Sequence, residues 1–232
     1  MGNSSLKVTS STNDTNLKQF YDLFRVVKFK KDEIIFLANT EPTRAYAVKN
    51  GYVRCFSYTD TNDERSISFV LKNEMLPIAW IYTKSNTALF NYIAHTDCEL
   101  YEIDREKYHN FLAHQPKLAN TMLMHSMNDL VTKKMQILAL EQATAEHKIL
   151  HTFNYFSIRY GKPVLQNLIA IKIPLTQKDI AGFTGLTRET VTNIIIKLKR
   201  EGTLSVKKRF YTVDIEKMRS QIEIESEVLT LS

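Results

Sequence analysis

One stretch of the chain decides the fold: Leu175-Thr-Gln-Lys-Asp-Ile-Ala-Gly-Phe-Thr-Gly-Leu-Thr-Arg-Glu-Thr-Val-Thr-Asn-Ile-Ile-Ile-Lys-Leu-Lys-Arg200. Its pattern predicts two short helices joined by a tight turn. Thr176 suits the N-cap of the first helix, with Asp179 three residues later in the position of a capping box. Gly185 suits the turn, because glycine adopts a positive φ at little cost. The stretch therefore predicts a helix-turn-helix.

The second predicted helix has one apolar and one polar side. Thr187 is expected to cap it, and Val191, Ile194 and Leu198 follow at spacings of three and four, the period of a buried helical face. The other side has the character of a helix that enters a DNA major groove. Its polar residues are Arg188, Glu189, Thr192, Asn193 and Lys197.

A basic hairpin is predicted after this helix. Two strand-like runs, 203–206 and 210–213, flank three consecutive basic residues. Such a wing can contact sugar-phosphate beside the groove, and a solvated hairpin tip is the alternative. The residues predicted to bind DNA are Thr176, Gln177, Thr187, Arg188, Glu189, Thr192, Asn193, Lys197, Lys207, Lys208 and Arg209.

The positive charge of the chain is concentrated around this region. Residues 162–219 contain twelve Lys/Arg and five Asp/Glu, whereas residues 1–161 contain nineteen and seventeen. A generally basic protein would spread its charge evenly. A local surplus is what a phosphate-binding face requires, so the charge supports DNA binding.

The first half of the chain reads as β structure. Short runs rich in β-branched and aromatic residues alternate with turn clusters, which predicts an antiparallel sandwich or roll. A short helix is expected before them, over 17–24. The predicted strands cover 33–37, 45–48, 52–58, 66–71, 90–94 and 98–103.

Helices are predicted between the β region and the helix-turn-helix. Asp104 suits the cap of a short helix that ends near His114, and a long helix follows over 115–143. Another helix is expected over Glu146–Tyr160, ended by Gly161. The fold class is therefore α+β: an antiparallel, jelly-roll-like β-roll, a long helix and a winged helix-turn-helix.

This pattern divides the chain into four parts. We expect a flexible tail at 1–16, a sensor-like β-roll at 17–114, the long helix at 115–143 and the DNA-binding domain at 144–232. No apolar run approaches the roughly 18 residues of a membrane span, so no membrane association is expected. The start of the chain lacks the apolar centre of a secretory signal, which favours a cytoplasmic protein.

The long helix carries an apolar stripe with a period of about 3.5 residues. Such a stripe packs either against its own domain or against a second subunit, and the spacing leaves both possibilities open. The stripe consists of Met124, Met127, Val131, Met135 and Leu138. Lys133 and Lys134 lie nearby and are expected at its solvated flank, with attraction of an anionic effector as the alternative.

A β-roll, a long helix and a winged helix-turn-helix in this order resemble the Crp/Fnr family of bacterial transcription regulators, over about residues 26–218. The most specific segments are 186–195 and 198–204, and 46–54 is similar to the strand–Gly–strand segment of the family's roll. The resemblance implies a homodimer on a pseudo-palindromic operator, with half-sites about 34 Å apart and RNA polymerase as a partner. It also implies a dimer seam on the long helix formed by Met124, Met127, Val131 and Leu138.

The resemblance also assigns base reading to the start of the second helix. Glu189 can accept a hydrogen bond from a cytosine amino group, and Arg188 can bind phosphate or guanine. Asn193 stands where the family often has a second arginine. Since Asn prefers adenine in bidentate geometry, a more A·T-rich half-site is expected. An Asn that only makes a helix-surface hydrogen bond is the alternative.

The sensor-like part lacks the family's phosphate clamp. Members that bind cyclic nucleotides carry a Gly-Glu pair and, about ten residues later, an arginine for the cyclic phosphate. Here no arginine lies between Arg65 and Arg105, and Glu74 lacks its usual neighbour. We therefore expect no cyclic nucleotide cofactor, and an effector that is unknown or absent.

Other cofactor and enzyme classes find no support in the sequence. Cys55 and Cys98 are too few for an iron–sulfur cluster, and His147 with His151 lacks a third metal ligand. No Gly-rich phosphate loop or nucleophile elbow is present, so we expect no enzyme, cofactor or metal. The alternatives are a ligand-binding module or enzyme with an incidental helix-turn-helix, and a non-specific architectural DNA-binding protein.

Overall fold

The structure is a computed structural model that describes residues 17–222. The flexible tail predicted at 1–16 lies outside the described residues. The chain forms two compact units that divide between Met124 and His125, within the long helix. No helix of residues 17–222 combines the length and the apolar character that a membrane span needs.

The first unit is an antiparallel β-roll, as predicted. Its eight strands form two four-stranded sheets, in the orders β1-β8-β3-β6 and β2-β7-β4-β5. The six strands predicted from sequence are all present. The elements are α1 (17–21), β1 (Val26–Phe29), β2 (Ile34–Phe36), β3 (Ala45–Asn50), β4 (Val53–Tyr58), β5 (Glu64–Val70), β6 (Met75–Leu76), α2 (Ile78–Tyr82), β7 (Asn91–Ala94), β8 (Cys98–Ile103) and α3 (Arg105–Ala113).

Two strands and one helix of this unit, β1, β6 and α2, were not predicted from sequence. Strand β6 is two residues long and forms through pairing with β3, where Tyr46 lies opposite Leu76. Strand β1 is an edge strand whose pairing partner, β8, is about 70 residues away in sequence. Short elements of this kind have too few residues to show a period, so tertiary pairing decides them.

Apolar side chains of both sheets form the core of the roll. Val48, Val53 and Leu100 are fully buried in one cluster that also holds both cysteines. Gly51 closes the β3–β4 turn with a φ of 88°, and a Cβ there would clash with the carbonyl of Asp97. The strand–Gly–strand segment therefore has a steric reason for its glycine.

The helices that follow the roll begin close to where they were predicted. Asp104 caps α3 by accepting a hydrogen bond from the backbone of Lys107. Helix α4 (Pro116–Leu140) begins one residue after its predicted start and ends three residues before its predicted end at residue 143. Helix α5 (Ala145–Tyr160) begins one residue before its predicted start and buries an apolar face formed by Ile149, Leu150, Phe153 and Phe156.

The second unit is a winged helix-turn-helix, which confirms the fold class. Helix α5 is followed by β9 (Gly161–Leu165), β10 (Leu168–Ile171), α6 (Gln177–Thr184), α7 (Arg188–Arg200), β11 (Leu204–Lys207), β12 (Phe210–Asp214) and α8 (Ile215–Ile222). The four strands form one antiparallel sheet in the order β11-β12-β10-β9.

Two predictions for this unit are wrong or incomplete. Gly161 does end α5, but it also begins β9, and neither the β9–β10 hairpin nor α8 was predicted. In α7 the residue buried between Val191 and Leu198 is Ile195, whereas Ile194 is only half-buried. Three consecutive isoleucines fit the helical period in more than one way, and packing against α6 selects among them.

Candidate nucleic-acid interface

Side-chain caps fix both helices of the helix-turn-helix. The Thr176 hydroxyl accepts a hydrogen bond from the Asp179 backbone N–H at 3.1 Å, and the Asp179 carboxylate accepts one from the Thr176 N–H at 2.7 Å. These two bonds form the predicted capping box. Gly185 ends α6 with a φ of 71°, in the left-handed region that glycine tolerates. The predicted turn chemistry is therefore confirmed.

The second cap orients α7. The Thr187 hydroxyl accepts a hydrogen bond from the Thr190 N–H at 3.1 Å. With Val191, Ile195 and Leu198 buried, the helix is held by one apolar side. Its opposite side is left exposed, with its polar N-terminal turn at the end that usually enters the groove.

Arg188, Glu189 and Asn193 lie on this exposed side. Arg188 and Glu189 occupy the first turn, and Asn193 follows Glu189 by four residues, so the last two share one face of the helix. A carboxylate, a guanidinium and an amide then present the donors and acceptors that base edges and phosphates require. The arrangement is suited to direct reading of bases.

Gln177 and Thr192 connect the two helices. The Thr192 hydroxyl lies 2.8 Å from the Gln177 side-chain oxygen and 2.8 Å from the Arg188 carbonyl. Both side chains are half-buried. The structure thus gives this predicted pair a packing role in addition to the DNA contact expected from sequence.

Lys197 points toward α5. Its ammonium lies 2.7 Å from both carboxylate oxygens of Glu146 and 3.8 Å from an oxygen of Glu201. The hydrogen bond with Glu146 raises the pKa of Lys197. Sequence reasoning missed Glu146, because 51 residues separate it from Lys197. This ion pair places Lys197 at the flank of the predicted reading face.

The basic hairpin is present as predicted. Lys207 pairs with Phe210, and the tip residues Lys208 and Arg209 have φ values of 56° and 93°. Two consecutive positive φ angles match the twist of a two-residue hairpin. The three basic side chains are exposed, and the Arg209 carbonyl accepts a hydrogen bond from the Leu175 N–H at 2.9 Å. The wing is therefore tied to the start of the helix-turn-helix.

Tyr211 links the wing to the capping box electrostatically. Burial, and then the negative charge of Asp179, raise the pKa of the Tyr211 phenol to about 12. The hydrogen bond from the Leu175 N–H to the Arg209 carbonyl joins the same two segments at 2.9 Å. The wing and the two helices are thus one structural unit.

The cations considered for a cyclic phosphate in the β-roll are either exposed or paired. Lys72 and Lys84, the basic residues between Arg65 and Arg105, are both exposed. Arg54 is buried but lies 2.6 Å from the Glu64 carboxylate, which neutralises it. A buried cation aimed at an anion is what such a ligand needs, and these residues do not supply it.

Glu74 and the aromatic residues of the same region have structural roles in the roll. Glu74 closes a turn by accepting a hydrogen bond from the Leu71 N–H at 2.9 Å. Nearby aromatic and apolar residues belong to two separate core clusters. Met75 and Trp80 belong to one cluster, and Leu76 and Phe90 belong to the other.

The histidines and cysteines considered as metal or cluster ligands do not form such a site among the described residues. Among residues 17–222, no group of three His, Cys, Asp or Glu side chains could hold a metal ion. Cys55 and Cys98 are free thiols in the core of the roll, and burial raises the pKa of Cys98. Burial and the neighbouring His147 lower the pKa of His151.

Two protein families match the two units. A cyclic nucleotide-binding domain matches residues 26–115, and a Crp-like helix-turn-helix domain matches residues 149–221. The chain is 23% identical over 212 residues to an anaerobic regulatory protein of Aggregatibacter actinomycetemcomitans. This match covers 91% of the present chain and 81% of that protein. A fumarate nitrate reduction regulatory protein of Klebsiella oxytoca is 22% identical, over 94% of this chain and 87% of its own length.

A solved structure has the same fold. A cyclic nucleotide-binding domain containing protein from Listeria monocytogenes EGD-e superimposes with a TM-score of 0.71 at 18% identity, covering 88% of this chain and 98% of that one. These matches agree with the structure, which has a β-roll over the first matched region and a capped helix-turn-helix with a wing over the second. The chain belongs to the Crp/Fnr family of DNA-binding transcription regulators.

Proposed function

We propose that the protein is a homodimeric, sequence-specific transcription regulator that reads a pseudo-palindromic operator in the major groove. It acts in the cytoplasm, on double-stranded DNA, with RNA polymerase as a further partner and without catalytic activity. One recognition helix reads few base pairs, so two copies on two half-sites increase both affinity and specificity.

One observation carries the homodimer: the exposed apolar stripe of α4. Met127 keeps 46% of its surface exposed in the single chain, although it lies on a helix in which several large apolar side chains are equally exposed. An apolar stripe of this length on a soluble chain marks an interaction surface. The exposed residues are Leu123, Met124, Met127, Leu130, Val131, Ile137, Leu138 and Leu140.

The predicted DNA contacts divide into two kinds. Arg188, Glu189 and Asn193 read bases, because they combine exposure with a place on the first two turns of α7. Lys197, held at the flank by Glu146, contacts the backbone, as do the basic residues of the wing. Thr176, Gln177, Thr187 and Thr192 set the approach of the helices and contact nearby phosphates.

The signal that controls the protein is not a cyclic nucleotide bound through an arginine clamp. Since Arg54 is neutralised by Glu64, the roll has no buried cation to spare among its described arginines. Regulation therefore acts through another effector or through the amount of protein. The alternatives to a sequence-specific regulator are an enzyme or ligand-binding module and a non-specific architectural DNA-binding protein. The following experiment distinguishes the three.

The test combines selection of bound sequences with a variant of α4. Purified protein is incubated with a random duplex pool, and we expect a two-fold-symmetric motif. A non-specific protein would enrich no motif, and a ligand-binding module would retain no DNA. Either result would contradict the proposal.

The second arm measures molar mass by light scattering. Met127→Glu should be monomeric, because two charges would face each other across the proposed dimer seam. Leu165→Glu is the matched control, since Leu165 is also an exposed apolar residue but lies on β9. A dimeric Met127→Glu variant would reject the seam.

A further inference from the structure

An isoleucine occupies the polar side of the recognition helix. Ile196 keeps 48% of its surface exposed, and no other large apolar side chain of α6 and α7, both fully described, is exposed to this extent. The buried residues Val191, Ile195 and Leu198 lie on the other side of α7. Ile196 is therefore not part of the packing that holds the helix.

Helix geometry places Ile196 on the reading face. It follows Asn193 by three residues and Thr192 by four, so these side chains are neighbours on the surface of α7. A rise of about 1.5 Å per residue puts Ile196 about 10 Å along the axis from Glu189. Because this separation is larger than the spacing of about 3.4 Å between base pairs, Ile196 and Glu189 would face different base pairs with α7 in the groove.

The polar side chains near Ile196 are held elsewhere. Lys197 forms the ion pair with Glu146 at 2.7 Å, which directs its ammonium toward α5. The Thr192 hydroxyl lies within hydrogen-bonding distance of Gln177 and of the Arg188 carbonyl. On the middle turns of α7, the groups that remain for the groove are the Asn193 amide and the Ile196 side chain.

An apolar side chain has one matching group in the major groove, the 5-methyl group of thymine. Facing a cytosine amino group or a guanine carbonyl, Ile196 would remove water from a polar group without offering a hydrogen bond. We propose that Ile196 recognises thymine through this methyl group and thereby specifies an A·T pair in each half-site. The inference rests on the proposed function, in which α7 enters the major groove.

The test removes single methyl groups from the DNA. After a motif has been selected, each thymine of the site is replaced by deoxyuridine, and affinity is measured by fluorescence anisotropy. Wild-type protein should lose about fourfold in affinity at one thymine per half-site, the effect of about one buried methyl group. The loss should be about 15-fold when both half-sites are substituted, because the two effects multiply.

Variants assign the effect to Ile196. Ile196→Ala should bind the thymine and deoxyuridine sites equally at that position, and Ile196→Val should keep most of the preference. Leu165→Ala is the matched control, because it shortens another exposed apolar residue outside the helix-turn-helix and should leave the preference unchanged. All variants are compared by circular dichroism to establish that they fold alike.

The outcomes separate the inference from the function on which it rests. If no motif is enriched, both the proposed function and the inference are overturned. If a motif is enriched but wild-type protein ignores the loss of each methyl group, only the inference is overturned. The inference is also overturned, and the proposed function left standing, if Ile196→Ala keeps the full thymine preference.

Discussion

Glu189 provides the sharpest test of the hypothesis that α7 reads bases directly. It lies in the first turn of α7, on the solvent side, where its carboxylate can accept a hydrogen bond from a cytosine amino group. DNA phosphates repel a nearby carboxylate. This repulsion is compensated only where a base donates a hydrogen bond to the carboxylate. The residue should therefore contribute to base choice and not to general affinity.

We expect Glu189→Ala to cost roughly 1–3 kcal/mol of binding free energy at the selected operator and to relax base choice at one position. Affinity for random DNA should stay equal or rise slightly, because a negative charge is removed. Glu216→Ala is the matched control, since Glu216 is an exposed glutamate in the first turn of α8. Equal losses on operator and random duplexes would contradict direct reading by Glu189.

At the scale of one element, α4 contains a charged residue within its apolar stripe. Lys134 is exposed and follows Leu130 by four residues, while Leu138 follows Lys134 by four. It therefore lies on the stripe and not at its flank, contrary to the expectation from sequence. Lys133 is different, because its ammonium lies 3.2 Å from the Tyr155 hydroxyl of the same unit. A single charged residue in a helix seam fixes register at a cost in stability.

Lys134→Leu should strengthen the proposed dimer. Replacing two seam lysines by leucines buries apolar surface in both copies, which we expect to lower the dimer dissociation constant by about tenfold or more. Sedimentation velocity over a concentration series measures it. Lys133→Leu serves as the control and should not tighten the dimer, since Lys133 packs within its own unit. Weaker association of Lys134→Leu would place the interface elsewhere.

At the scale of the whole molecule, the positive charge is concentrated in the part of the chain that contains the helix-turn-helix and the wing. The surplus of basic residues falls in 162–219, where the wing and the recognition helix lie, whereas 1–161 is nearly balanced. Balanced charges in the β-roll avoid unspecific attraction of this unit to DNA. We expect the basic surplus to supply the salt-dependent part of DNA binding, which carries no sequence information.

Lys208→Ala should weaken binding to all duplexes by a similar factor. The slope of log affinity against log salt should fall by about 0.9 for each phosphate contact that is lost. Fluorescence titrations at four or more salt concentrations give this slope. Lys72→Ala is the control, because Lys72 is an exposed lysine of the β-roll and should leave the slope unchanged. An unchanged slope for Lys208→Ala would remove the wing from the DNA-binding surface.

The sequence by itself determined the features that depend on neighbouring residues. Thr176 with Asp179, Thr187 with Thr190, and the positive φ of Gly185 each involve residues within four positions of one another. Caps and turns depend on local backbone geometry, so their residue types identify them directly. The β-roll was predicted for a related reason, since alternating β-branched and aromatic runs reflect strands with one buried face.

Only the tertiary structure decided which side chains are available at the reading face. The Lys197–Glu146 ion pair, the Gln177–Thr192 hydrogen bond and the exposure of Ile196 rather than Ile195 all depend on how α7 packs against other elements. Residues far apart in sequence meet there, and a helical period of 3.6 fits three consecutive isoleucines in more than one way. Packing fixes the rotation of α7 about its axis, and that rotation determines which side chains face the solvent.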